Sequence, residues 1–112
     1  MLEVAAEGPV LGSYRDAVDL VGEALSADTN VVVIPVSRLD AEFFRLETRI
    51  AGEFLQKLLD YRLRVVIVGD ISEHLAASDA LRAFVYESNK GRQVRFTSSF
   101  ETLEQDWLAD AH

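Results

Sequence analysis

The stretch Glu87-Ser88-Asn89-Lys90-Gly91-Arg92 brings an amide, an ammonium, a glycine and a guanidinium together. Those are the groups that grip a phosphate. A phosphate loop, however, places its glycines between a strand and the start of a helix, where backbone N–H groups and the helix dipole face the anion. A second set of candidates follows the two most apolar runs of the chain: Ser37, Arg38 and Asp40 after residues 30–36, and Asp70, Ser72, Glu73 and His74 after residues 64–69. Asp70, behind Val-Val-Ile-Val-Gly, stands where an α/β enzyme places a nucleophile, a base or a magnesium ligand. The plainer role, and the one expected, is a turn aspartate that accepts from nearby backbone N–H groups.

His74 has no second histidine or cysteine at ligand spacing, so it is expected as an exposed loop histidine and no metal is expected. A hydrolytic triad would have to draw Ser37 or Ser72, His74 and an aspartate largely from one short loop. The chain has no GxSxG elbow, Walker loop or GxGxxG. No catalytic residue and no cofactor is therefore expected, and the balance leans away from an enzyme. Phe43 and Phe44 offer a partner-binding aromatic pair, although such a pair more often splits between the core and the shielding of a helix start. Tyr61 and Tyr86 are expected to pack with a wet hydroxyl.

These residues need a scaffold. Residues 30–36 (NVVVIPV) and 64–70 (RVVIVGD) lack polar alternation, as do strands covered on both faces in a parallel sheet. The alternating LEVAAE and RQVRFTS suit edge or half-exposed strands. Ser13, with Asp16 three residues on, caps a first helix whose stripe is Ala17, Val18, Val21, Ala24 and Leu25. The longest helix turns Leu46, Ile50, Ala51, Phe54, Leu55, Leu58 and Leu59 inward. A third helix starts at Ser78 or Asp79 and packs Leu81, Phe84 and Val85. A fourth starts near Ser98, with Glu101 in a capping box and Phe100, Leu103, Trp107 and Leu108 inward. The order βαβαβαβα calls for one three-layer α/β domain over residues 1–112, with four mainly parallel strands alternating with four helices in a flavodoxin-like arrangement. In it the ESNKGR stretch closes the third helix at the edge opposite the binding crevice. Asn89 or Gly91 is then a left-handed helix cap, not a phosphate grip.

Composition narrows the partners. Nineteen acidic against eleven basic residues give a formal charge of −8, which repels nucleic acid and anionic lipid. The absence of cysteine excludes disulfides and thiolate chemistry. No apolar run approaches a membrane span and no secretory leader is recognisable at the N-terminus, so a cytoplasmic location is expected.

Phe43-Phe44, Leu46, Thr48, Ala51-Gly52-Glu53, Leu55-Gln56-Lys57, Tyr61, Val68-Gly69-Asp70 and Tyr86-Glu87-Ser88-Asn89 with Gly91 resemble the pattern of the bacterial domain-of-unknown-function 4180 family over most of the chain. The resemblance implies no established activity. It implies an additional N-terminal strand, with this chain beginning inside the second strand of that hairpin. At fold level the element order is similar to the STAS domains, the anti-sigma-factor antagonists and transporter tails. That similarity implies a phosphorylated hydroxyl at the position of Thr48, although RLETRIAG stands where true antagonists carry an Asp-Ser-Ser-Gly type motif. The expectation that results is a non-enzymatic regulatory module that docks a protein through Arg38, Asp40, Phe43, Phe44 and Thr48. The alternatives are a small-molecule or anion site with Asp70, Ser72 and Arg38, and a homodimer formed through an unpaired edge strand.

Overall fold

The computed structural model describes residues 1–99 of the 112-residue chain. At its centre stand β2 (Val31–Pro35) and β3 (Arg64–Val68), whose β-branched side chains fit a pleated surface covered on both sides. They pair in parallel, with Val32 opposite Val65 and Ile34 opposite Ile67. β4 (Val94–Thr97) adds to β3, and the two-residue β1 (Leu2–Glu3) adds to β2, both in parallel. The result is an α/β domain on a parallel sheet of order β1-β2-β3-β4.

The helices begin and end where the sequence supplies partners. In α1 (Tyr14–Ser26) the Ser13 hydroxyl accepts the Asp16 N–H at 3.0 Å, and the Asp16 carboxylate accepts the Ser13 N–H at 3.1 Å. The helix closes through Asp28, left-handed at φ 53°, with the Thr29 N–H reaching the Ala24 carbonyl. α3 (Ile50–Asp60) closes in the same way through Arg62 at φ 61°, with the Leu63 N–H on the Leu58 carbonyl. α5 (Asp79–Lys90) is capped by the Ser78 hydroxyl. Two short helices, α2 (Ala41–Phe44) and α4 (Ser72–Ala77), lie in the connections after β2 and β3.

Strands added in one direction through right-handed crossovers bring their helices to one face. Leu20 and Ala24 of α1, Phe54 and Leu58 of α3 and Leu81 of α5 accordingly share one core with Val32, Ile34, Val65, Ile67, Val94 and Phe96. Val31, Val33 and Val66 on the other face are buried as well, as a three-layer arrangement requires. Unlike a flavodoxin-like sheet, this order contains no reversal among the described strands. The crevice that a reversal opens between diverging crossovers is therefore not formed there.

Several local expectations change. The buried arc of α1 is Ala17, Leu20, Val21 and Ala24, whereas Val18 and Leu25 are exposed, because the face toward the sheet is centred on Leu20 and Ala24. The helix expected to include Leu46 is interrupted: Leu46–Thr48 form a 3-10 turn, Arg49 takes φ 65°, and α3 starts at Ile50. The helix expected near Ser98 lies, from Phe100 onward, outside the described residues.

The ESNKGR stretch does close α5, but neither Asn89 nor Gly91 is left-handed; Gly91 is extended and Asn89 is helical. The Asn89 side chain accepts the Phe96 N–H at 2.8 Å and donates to the Phe96 carbonyl at 3.2 Å. It reproduces, on the outer edge of β4, the pair of bonds a neighbouring strand would make. Asn89→Ala is expected to destabilise the fold by about 1–3 kcal/mol, the cost of leaving those backbone groups unpaired. Lys90→Ala, which removes an exposed cation, should cost less than about 1 kcal/mol. Urea unfolding of the two variants against wild type checks the contrast.

Candidate functional site

Parallel strands place their following loops at one edge, and Arg38, Asp40, Thr48, Asp70 and Ser72 all lie in those loops. Arg38 ends the 3-10 turn Val36–Arg38. Its Nε donates to the Pro9 carbonyl at 2.7 Å and its Nη1 to the Ala5 carbonyl at 2.9 Å, while the Ser37 hydroxyl donates to the Ala6 carbonyl at 2.7 Å. The guanidinium lies so close under Gly8 that a Cβ there, at φ 151°, would stand 2.8 Å from it. Arg38 is thus a strut that ties the β1–α1 loop across the end of β2.

Asp40 caps α2, accepting from the Glu42 and Phe43 N–H groups at 3.1 and 3.3 Å. Phe43 and Phe44 are both in the core. Their rings meet edge to face at 5.2 Å, Phe43 meets Phe54 in the same way at 5.9 Å, and Phe44 stacks on His74 at 4.5 Å. His74 is consequently half-buried on α4 and is not the exposed loop residue expected.

The Thr48 hydroxyl donates toward the Arg45 and Glu42 carbonyls, at 2.7 and 2.9 Å, and accepts the Ile50 N–H at 3.3 Å. It fastens the joint between α2 and α3. Beside it, Arg45 is held by Glu42 at 3.0 Å and Glu47 at 3.3 Å.

Asp70 accepts the Ser72 N–H at 2.9 Å, the turn role foreseen for it. Hydrogen bonds from the Ser72 side chain and backbone hold its carboxyl below the ordinary value. Asp70 and Ser72 themselves line a small cavity of 270 Å³, whose walls also include the apolar Ile71, Leu75, Val85 and Phe96 and the polar Asn89 and Thr97. Among the described residues no cluster of three metal-ligating side chains is present, and no helix is long and apolar enough to cross a membrane.

A different surface gathers exposed aromatic side chains. Tyr14 at the start of α1 and Tyr61 at the end of α3 are 69% and 50% exposed. The Lys57 ammonium stands over both rings, 4.9 Å from Tyr14 and 5.1 Å from Tyr61, within cation–π range. A hydrogen bond with Tyr14 raises the Lys57 pKa against an opposing desolvation, with the charges of Tyr14, Tyr61 and Asp60 adding to the rise. The adjoining groove, 560 Å³, is lined by Tyr14, Gly52, Glu53, Gln56, Lys57 and Asp60. A Cβ on Gly52 would touch nothing within 4 Å, so its missing side chain serves no internal packing and leaves the groove open. The available signal for this cluster was Tyr61 at i+4 from Lys57, together with Tyr14 directly after the Ser13 cap.

The family model described as Domain of unknown function (DUF4180) matches residues 1–108, and the chain belongs to that family. No curated protein and no solved structure matches it.

The depressed Asp70 pKa sets a sign. A carboxyl held below its ordinary 3.8 contributes stability that is present above that pH and lost as pH falls through the folded value. A carboxyl NMR titration should place the Asp70 midpoint below 3.8, and Ser72→Ala should move it back toward that value.

Proposed function

We propose that the protein is a non-enzymatic regulatory or protein-interaction module of STAS-like type, acting in the cytoplasm, whose partner docks on the outer seam between α1 and α3. One observation carries this reading: Tyr14 and Tyr61 are exposed around Lys57 on that seam, whereas Arg38, Asp40, Thr48 and Asp70 at the strand ends are engaged in bonds that hold loops and caps. Exposed tyrosines at a groove supply large, amphipathic contact area, the kind that anchors interfaces. Val18 and Leu25, also exposed on α1, extend the apolar area of that helix.

Phosphorylation of Thr48 would act on this module by release. The hydroxyl proton that reaches the Glu42 and Arg45 carbonyls would be replaced by about two negative charges. The charge would stand among Arg45, which already carries Glu42 and Glu47, and Arg49 at the start of α3. These would stabilise it locally, while the loss of the hydroxyl's bonds would loosen the α2–α3 joint and the new charge would repel an acidic partner. A second reading, a small-molecule site at the strand ends, is supported by the 270 Å³ cavity that Asp70 and Ser72 line. Its apolar lining from Ile71, Leu75, Val85 and Phe96 suits a small ligand with one polar end.

Full-length wild type, a Tyr14→Ala/Tyr61→Ala double variant and Asp70→Ala, used as parallel baits in lysate of the source cell, test the choice. A partner retained by wild type and Asp70→Ala, and reduced at least about tenfold with the double variant, is the expected outcome. Equal retention by all three baits, or loss with Asp70→Ala alone, contradicts it.

A further inference from the structure

Resting on the docking reading above, we infer that the partner presents an arginine-bearing basic segment, and that Lys57 occupies between Tyr14 and Tyr61 the place its guanidinium takes. Two rings sharing one cation are already arranged to bind positive charge. Lys57 is half-buried between the rings and outside the core cluster, so it can swing aside without opening the core. The groove it borders carries two carboxylates, Glu53 and Asp60, and Asp60 is oriented by the Gln56 side-chain amide at 2.8 Å. A guanidinium can stack on a tyrosine and bond a carboxylate in the same plane, which an ammonium cannot do.

The charge of the whole chain has the matching sign. The chain carries a formal charge of −8, which steers a basic partner toward it and disfavours a second copy of itself. Gly52 leaves room at the floor of the groove for a backbone to approach. Tyr14, Glu53, Asp60 and Tyr61 are all exposed and outside the core cluster, so each can be altered without opening the core.

The test uses the full chain and three synthetic Gly-Ser peptides of equal length, bearing arginines, lysines or glutamates, titrated while the Tyr14 and Tyr61 ring signals and the Gly52 amide are followed by NMR. The arginine peptide should shift all three signals and bind more tightly than the lysine peptide. Lys57→Gln should tighten arginine-peptide binding about three- to fivefold, because the competing cation is gone. That gain should vanish in the Tyr14→Ala/Tyr61→Ala background. Equal binding of the arginine and lysine peptides, a preference for the glutamate peptide, or weaker binding after Lys57→Gln overturns the inference, as does a shift of these signals on concentrating the protein alone. If a partner is captured through the tyrosines while the arginine peptide leaves them unmoved, the basic-segment inference falls and the docking surface stands. If the tyrosine variants also capture the partner normally, both fall.

Discussion

The parallel pairing of β2 and β3, with Val32 against Val65 and Ile34 against Ile67, is the constraint on which the rest of the molecule depends. Parallel strands need a long connection on every return, and adding each new strand on the same side sends every right-handed crossover to one face. The described helices α1, α3 and α5 therefore pack over Val32, Ile34, Val65, Ile67, Val94 and Phe96. Among the described residues the sheet ends at β1 and β4, and Asn89 covers the β4 edge by bonding both polar groups of Phe96. A slip of one residue between β2 and β3 would exchange their two buried faces and dismantle this arrangement.

The packing of α1, α3 and α5 on that face decides which surfaces are available for recognition. At the strand ends, Arg38 ties down the loop that follows β1, Asp40 starts α2, Thr48 fastens the entry to α3, and Asp70 closes its own turn. These groups have the chemistry of a site but are engaged in holding loops. Gly69 belongs to the same economy of space: at φ 144° its Cβ would stand 2.7 Å from the Val36 side chain. On the outer side of these helices the side chains have fewer internal duties, and there Tyr14, Lys57 and Tyr61 meet.

Much of the scaffold was legible because it rests on short-range rules. The β-branched runs, the Ser13–Asp16 capping box and the Ser78 cap each need only a few neighbouring residues to be recognised. What was not legible depends on residues distant in sequence. Nothing local says that Val18 and Leu25 fall outside the arc that the sheet covers, or that Arg49 adopts φ 65° and interrupts the expected helix. Arg38 reads as a free cation until the carbonyls of Ala5 and Pro9 arrive beside it. Phe43 and Phe44 read as a pair to be divided, yet both are buried, because His74 closes over the second ring. The Tyr14 and Tyr61 cluster joins two helices, so only their packing brings it together.

In the function proposed here, recognition occurs on the outer seam of α1 and α3, away from the strand ends. Amide hydrogen exchange of the full chain, free and in complex with the partner it captures, tests this most directly. Docking on that seam slows exchange at the start of α1 and along residues 52–61 and leaves residues 36–49 and 69–72 unchanged. Protection confined to the latter two segments would contradict it and return the function to the strand ends.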